Sequence, residues 1–171
     1  IHSTPGNGTR FVMRLPVTVA IQSVILARTQ NQTFAIPARH VAEIIETPQQ
    51  SLQIVNNQLA VLLRDNMLPV YRLDHLLQLE PTLQAEQATT QKPSNIMLLI
   101  LQHDTHCIAL AIDDMLGRQE LFLRDIHQDL RSIPGIGGVS LLGNGDVVII
   151  LDCENIFALA KKKPERTGLV S

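Results

Sequence analysis

Two histidines near the middle of the chain have a spacing that could support metal chemistry. His103 and His106 flank a predicted hairpin turn with two residues between them, and Asp104 lies in the same turn. A zinc site needs three or four ligands, and no further cysteine or carboxylate cluster lies nearby in the sequence to complete it. The pattern therefore favours two exposed turn histidines over a metal site.

Carboxylates and a thiol form the second group of candidates. Asp113 and Asp114 are adjacent, and neighbours on a strand point to opposite faces, so these two cannot share a proton. Asp152, Cys153 and Glu154 could supply an acid and a nucleophile, although no histidine is placed to activate the thiol. A helix N-cap at Asp152 with a first-turn acid at Glu154 explains the segment without catalysis. An enzyme using these groups is the alternative hypothesis, and an inert thiol at neutral pH would count against it.

Glycine-rich and basic positions could bind phosphate or a partner. Gly6-Asn7-Gly8 is a lone Gly-x-Gly without a strand–loop–helix context, so a turn before a strand is favoured over a phosphate cradle. Arg39, His40 and Arg64 are polar residues among apolar neighbours at predicted strand ends. Solvated turn residues and partner-contacting rim charges explain them equally well.

The composition narrows the class of protein. The 171 residues carry a net charge of −2, no Trp and one Tyr, which argues against nucleic acid as a partner. No apolar run approaches the ~20 residues of a membrane span, and direct membrane insertion is not expected. Cys107 and Cys153 fit no metal or redox spacing, so two reduced thiols are the simpler interpretation. The chain begins at Ile1 and not at Met, which indicates a segment of a longer protein.

The elements that must position these side chains are predicted to be short strands joined by tight turns. Residues 133–152 carry the clearest signal, with a two-residue turn at Asn144-Gly145 followed by an apolar strand, Val147–Leu151. Because that strand has no polar alternation, we expect both of its faces to be covered. Further predicted features are turns at Asn31-Gln32 and Asp65-Asn66, helices capped by Asp74 and Asp152, and a linker at residues 80–95.

The two halves of the chain repeat one plan of strand, turn, strand, Leu-Asp and helix. Leu62-Leu63-Arg64-Asp65-Asn66 leads through Val70 to Leu73-Asp74. In the same way, Leu141-Leu142-Gly143-Asn144-Gly145 leads through Val148 to Leu151-Asp152. Many short strands with tight turns are typical of small β-barrels, and the repeat predicts two of them.

Several segments in order resemble the CheW-like domain family. They are Ala35-Ile36-Pro37, Val41-Ala42-Glu43-Ile44, Leu63-Arg64-Asp65-Asn66-Met67-Leu68-Pro69-Val70, Ile112-Asp113-Asp114-Met115-Leu116-Gly117-Arg118-Gln119-Glu120 and Leu141-Leu142-Gly143-Asn144-Gly145. Residues 6–16 resemble the last strand of a histidine-kinase ATPase domain, and the junction that follows is similar to the one before the regulatory domain of CheA-type chemotaxis kinases. The resemblance covers about residues 6–160.

The resemblance implies a mainly β (all-β) fold. It implies two SH3-like five-stranded β-barrel subdomains around a shared core, with short helices. Residues 1–16 are then expected to be the remnant of the last ATPase strand, residues 17–160 the CheW-like regulatory domain and residues 161–171 an exit linker. The subdomains are expected at residues 17–79, together with the C-terminal helix, and at residues 96–152.

The resemblance also implies docking and not catalysis. The expected partners are a CheW-type coupling protein, the cytoplasmic tips of methyl-accepting chemoreceptors and other domains of the same kinase, in the cytoplasm at membrane-associated receptor arrays. Related hybrid kinases that control type IV pili use the same domain, and a free-standing CheW-like coupling protein is the alternative. No cofactor is expected, and ATP is not expected to bind because the other ATPase motifs are missing from these 171 residues.

The resemblance assigns partner contacts by motif position to Val41, Glu43 and Arg64. Asp65 stands where the family usually has Gly after the arginine. Since Asp tolerates the left-handed backbone conformation, the turn is expected to survive. The added carboxylate is expected to weaken the charge that Arg64 presents to a partner.

Overall fold

The computed structural model describes residues 2–4, 8–10, 20–79, 95–123 and 133–162. The described residues are mainly β, as the sequence predicted, with two short α-helices. Two strands, β1 (His2–Thr4) and β2 (Gly8–Arg10), pair only with each other. The remaining strands form two sheets. No described helix is both long and apolar enough to span a membrane.

The first sheet has six strands, which follow one another in the chain from residue 41 to residue 112. Their order is β5-β9-β10-β8-β7-β6, and only the β8–β10 pairing is parallel. The strands are β5 (Val41–Pro48), β6 (Leu52–Val55), β7 (Gln58–Leu63), β8 (Asn66–Arg72), β9 (Asn95–His103) and β10 (His106–Ile112).

The second sheet has five strands in the order β11-β3-β4-β13-β12, with β4 and β13 parallel. The strands are β3 (Ala20–Thr29), β4 (Gln32–Pro37), β11 (Asp114–Leu123), β12 (Ile136–Leu141) and β13 (Val147–Leu151). The chain leaves this sheet after β4 through a short 3-10 helix (Ala38–His40), builds the whole first sheet, and returns as β11. The predicted subdomains at residues 17–79 and 96–152 therefore do not coincide with the sheets, because each sheet takes strands from both halves.

Each sheet wraps around its own apolar cluster without a closed backbone ladder among the described strands. All six strands of the first sheet contribute to one cluster that includes Val61, Val70 and Leu98. In the second sheet, the buried Ser140 hydroxyl of β12 donates to the Phe122 carbonyl oxygen of β11 at 2.9 Å. Since β11 and β12 are the two edges of that sheet, this bond joins them across the open seam.

A third and larger cluster lies between the sheets and confirms the expected shared core. Strand β13 shows how one strand serves two clusters, because Val148 and Ile150 face the inside of the second sheet while Ile149 and Leu151 face the shared core. The prediction of a strand covered on both faces is thus correct for these four positions, although Val147 is exposed.

The C-terminal helix, α2 (Cys153–Lys162), covers the shared core with residues at i, i+3, i+4 and i+7. They are Cys153, Ile156, Phe157 and Ala160. The predicted N-cap is confirmed, because the Asp152 carboxylate accepts a bond from the backbone N–H of Asn155 at 3.1 Å.

The other predicted cap is wrong. Helix α1 (Leu73–Leu77) begins one residue before Asp74, and its N-cap is Arg72, whose side chain makes no capping bond. The Asp74 carboxylate is instead buried and bound by side chains, among them Arg72 and Gln30. The long-range bond to Gln30 is a feature that local spacing could not indicate.

The predicted turns are displaced or lengthened. Gln30 and Asn31 have left-handed backbone angles, so this turn lies one residue earlier than predicted. Between β12 and β13 the loop has five residues, 142–146, and Gly145 alone among them has a positive φ, of 91°. The two-residue turn at Asn144-Gly145 is therefore wrong, because the Asn144 side chain accepts from the Asp146 N–H at 3.1 Å and widens the loop.

Candidate functional site

The hairpin between β7 and β8 brings two predicted contact residues together. Its turn is formed by Arg64 (φ 46°) and Asp65 (φ 66°), one residue earlier than predicted, so the aspartate does replace glycine in the left-handed conformation. The Arg64 guanidinium reaches across to β5 and binds the Glu43 carboxylate at 2.9 Å. Glu43 and Arg64 are 21 residues apart in the chain, and two strands, β9 and β10, lie between β5 and this hairpin in the sheet order. The curl of the first sheet brings the two side chains into contact.

This ion pair is placed for orientation more than for stability. The Arg64 side chain is 79% exposed and that of Glu43 is 27% exposed, so water screens their attraction. Exposed pairs of this kind contribute roughly 0–1 kcal/mol to folding. The carboxylate that orients Arg64 is that of Glu43. Asp65 was expected to weaken the charge of Arg64, but the described contacts include no ion pair between these two residues.

Val41 does not lie on the same face of the first sheet as the Arg64–Glu43 ion pair. A β-bulge at the start of β5 pairs Val41 with Leu101 but Glu43 with Ile100, which leaves Ala42 as the extra residue. Without the bulge, residues two apart on a strand would share a face. With it, Val41 packs against the shared core and Glu43 lies on the opposite face, toward the inside of the first sheet.

Two exposed apolar side chains on the same hairpin were missed by the sequence reasoning. Leu62 on β7 and Met67 on β8 are direct cross-strand partners, and they are 55% and 41% exposed. Strand alternation could have found Leu62, since Val61 and Leu63 on either side of it pack against the interior cluster. We call Leu62, Met67, Arg64 and Glu43 the hairpin surface.

A second polar site lies where the chain passes from β4 to β5. A cavity of about 460 Å³ opens there, and we call it the crossover cavity. Its lining includes Arg39, His40, Val41, Gln102, His103 and Asp104. The sequence pattern explains Arg39 and His40 equally well as solvated turn residues and as partner contacts.

The imidazoles of the crossover cavity are packed and oriented. The His40 and His103 rings lie 5.8 Å apart between centroids, and His103 lies 5.7 Å from the Phe157 ring of α2. The Arg39 Nε donates to His40 Nε2 at 3.1 Å. Burial and the neighbouring Arg39 charge lower the pKa of His40, while a bond with the Gln102 backbone opposes this. His40 is therefore neutral at pH 7 and accepts at Nε2.

The remaining candidates have structural partners. Asp114 binds Arg28 at 2.6 Å, and the Asp113 carboxylate accepts from the Gln30 backbone N–H at 2.7 Å, so the two acids serve different neighbours. Burial, followed by the charge of the adjacent aspartate, raises the pKa of the Cys153 thiol to about 12, which keeps it protonated.

The histidines beside the β9–β10 turn do not form a metal site with other described residues. His103 Nε2 lies 3.7 Å from the Asp104 carboxylate, and His106 is exposed on the far side of the turn. The described residues contain no group of three or more His, Cys, Asp or Glu side chains that could hold a metal ion. Gly6 and Asn7, for which the sequence favours a turn over a phosphate cradle, lie outside the described residues.

Comparison with known proteins identifies the family. The family model described as "CheW-like domain" matches residues 23–161. The chain is 32% identical over 152 residues to "Chemotaxis protein CheA" of Halobacterium salinarum, which covers 89% of this chain and 21% of that protein. It is 30% identical over 166 residues to "Chemotaxis protein CheA" of Borreliella burgdorferi, covering 96% of this chain and 18% of that protein. The chain thus spans about a fifth of the length of these relatives.

A solved structure supports the same fold. The scaffolding protein TtCheW from Thermoanaerobacter tengcongensis superposes with a TM-score of 0.57 at 11% sequence identity, covering 85% of this chain and 94% of that one. The likeness of fold, the match over residues 23–161 and the similarity to the CheA proteins agree. The chain belongs to the CheW-like domain family.

Proposed function

We propose that this chain is the non-catalytic docking domain of a CheA-type histidine kinase. It binds a CheW-type coupling protein and the cytoplasmic tips of chemoreceptors, so that receptor state sets kinase autophosphorylation. The similarity to CheA proteins over 89% and 96% of the chain supports the parent kinase. In the parent protein, residues 1–16 would end the ATPase domain, residues 17–160 would form the docking domain at the receptor array, and residues 161–171 would lead onward.

The hairpin surface is the observation that carries this proposal. Leu62 and Met67 present an exposed apolar pair, and the neighbouring Arg64 is exposed and held in direction by Glu43. An apolar centre with a charged rim is the usual composition of a protein interface, and the rim charge contributes mainly to specificity and association rate. Docking is therefore the use that fits this surface best.

Charge reversal at Arg64 tests the proposal. We expect Arg64→Glu to weaken binding of the coupling protein from the same genome by about tenfold or more, because the new carboxylate faces Glu43 and the partner together. Isothermal titration gives the affinity and thermal unfolding gives the stability. The melting temperature should stay within about 3 °C of the wild-type value, since an exposed pair contributes little to folding. Val41→Glu is a poorer test, because Val41 packs against the shared core.

A matched variant controls for a general effect of charge. Arg118→Glu makes the same change on the second sheet, where the exposed Arg118 donates to the Ser23 hydroxyl at 2.8 Å. It should bind the coupling protein as the wild type does. Wild-type affinity in Arg64→Glu, or equal losses in both variants, would show that the hairpin surface is not the docking site.

A free-standing coupling protein is the second candidate. The specific observation in its favour is the superposition on TtCheW, which covers 94% of that scaffolding protein. The full-length gene separates the two: an upstream ATPase domain would establish the kinase, and an open reading frame limited to this domain would establish the scaffold. A receiver domain downstream would favour a hybrid kinase of the type IV pilus class.

A further inference from the structure

We propose that the crossover cavity binds a carboxylate side chain of a docked partner protein, with Arg39 as the residue that binds it. The inference rests on the proposed docking function and adds a second contact point to it. The cavity of about 460 Å³ lies beside Val41 at the start of β5, an edge strand of the first sheet. A partner seated on that edge can therefore place a side chain into the cavity.

Arg39 is oriented by His40, and none of the described residues supplies it with a carboxylate. Among the arginines whose side chains the structure describes, Arg28, Arg64 and Arg72 each bind a carboxylate within 3 Å. Arg39 and Arg118 have no described carboxylate partner, and of these two only Arg39 lines the crossover cavity. Arg39 makes no such ion pair with any described residue; its Nε donates to His40 at 3.1 Å. This leaves the two terminal nitrogens of the guanidinium, the fork that recognises carboxylates, free of a described carboxylate.

His40 holds the Arg39 guanidinium in place and is itself held by its neighbours. His40 bonds to the Gln102 backbone, and its ring packs 5.8 Å from His103, which is itself packed on Phe157. A neutral imidazole that accepts from Nε fixes the plane of the guanidinium at little cost in entropy on binding. His40 is therefore a positioning residue, and Arg39 is the group that contacts the ligand.

Two acidic side chains near the cavity lower its affinity for a carboxylate. The Asp104 carboxylate lies on the rim, 82% exposed and 3.7 Å from His103, and the negative charge of Glu154 on α2 also acts on His40. These acids oppose an incoming carboxylate, but the exposed Asp104 is screened by water. The site should accordingly bind a carboxylate weakly by itself, in the millimolar range, and contribute selectivity when a partner is already docked.

Acetate is the probe for the site itself. Titration of the chain with sodium acetate, followed by NMR shifts of the Ala42 amide and the His103 ring, should saturate, while sodium chloride at equal ionic strength should not. Arg39→Gln should weaken the acetate affinity by about tenfold, whereas Asp104→Asn should strengthen it by no more than about twofold, because the repelling charge that it removes is screened by water. Arg118→Gln, the matched control on the second sheet, should leave it unchanged. Equal effects of acetate and chloride, an acetate affinity in Arg39→Gln equal to that of the wild type, or saturation with phosphate but not with acetate would overturn the proposal.

The partner arm uses the coupling protein. Arg39→Gln should lower its affinity severalfold, and the loss should add to that of Arg64→Glu, since Arg39 and Arg64 have separate contacts. In one outcome, acetate binds at Arg39 while Arg39→Gln leaves the affinity for the coupling protein unchanged. That result would refute a partner carboxylate as the ligand, but the proposed docking function would stand. If the wild-type chain does not bind the coupling protein at all, the proposed function itself is wrong.

Discussion

Asp74→Asn offers the sharpest test of how the two sheets are held together. The Asp74 residue is 1% exposed, and its carboxylate accepts four hydrogen bonds. Arg72 donates from Nε at 3.0 Å and from a terminal nitrogen at 2.5 Å, the His75 backbone donates at 2.9 Å, and Gln30 donates at 2.7 Å. Since Gln30 lies in the β3–β4 turn of the second sheet and Asp74 in α1, which follows β8 of the first sheet, this carboxylate links elements of the two sheets.

The expected loss follows from which of these bonds an amide can keep. The carbonyl oxygen of Asn can keep one Arg72 bond together with the bond from either Gln30 or the His75 backbone, but its NH2 group then faces the other Arg72 donor and the remaining donor, so two bonds are lost. A hydrogen bond to a charged group contributes about 1.5–3 kcal/mol, and a variant that removes the charged partner loses that contribution. The Arg72 side chain is 34% exposed and recovers part of its hydration, so we reduce the sum for two bonds to about 2–3 kcal/mol.

The pH dependence gives this prediction a second readout. Burial raises the pKa of Asp74, but the bonds and charge of Arg72, with Gln30, more than offset it and hold the pKa below its ordinary value. A lowered pKa means that the carboxylate stabilises the fold fully above the unfolded value of about 3.9, and that this contribution disappears as pH falls through the folded value. The stability difference between wild type and Asp74→Asn should therefore be constant from pH 7 to 5 and shrink below about pH 4.

Urea unfolding at several pH values measures both quantities, and Asp114→Asn is the matched control. Asp114 binds Arg28 at 2.6 Å, but these side chains are 42% and 45% exposed, so the same substitution should cost less than about 1 kcal/mol. Asp74→Asn should also lower the melting temperature by about 5–10 °C. Equal losses in the two variants, or a difference that persists unchanged at pH 3, would refute the reasoning.

Two further predictions concern packing and thiol reactivity. Gly135 has a φ of +85°, and a Cβ added there would lie 2.6 Å from Leu77 Cδ2, so Gly135→Ala should cost about 1–3 kcal/mol in urea unfolding; a wild-type midpoint would show that the loop relaxes freely. Because burial raises the pKa of Cys153 to about 12, Ellman's reagent at pH 8 should react with the partly exposed Cys107 and leave Cys153 intact until the chain unfolds. Rapid labelling of Cys153 in the folded chain would contradict this and revive an enzyme hypothesis.

The amino-acid sequence by itself determined the local features. The unbroken apolar run of β13 indicated a strand covered on both faces. The cap at Asp152 followed from the type of this residue at the start of the last predicted helix. Such features depend on neighbours within a few residues, so periodicity and side-chain chemistry are sufficient to predict them.

The tertiary structure decided which distant groups meet. The repeat in the sequence indicated two similar halves, yet the crossover after β4 gives each sheet strands from both halves. The bulge at Ala42 separates Val41 from Glu43, and the curl of the first sheet brings Glu43 to Arg64. Asp74 looked like a cap and became a buried link to Gln30. The physical reason is that strand pairing, sheet curl and buried polar bonds are settled by contacts between residues far apart in the chain, and a local pattern carries no information about which partner a strand or carboxylate will find.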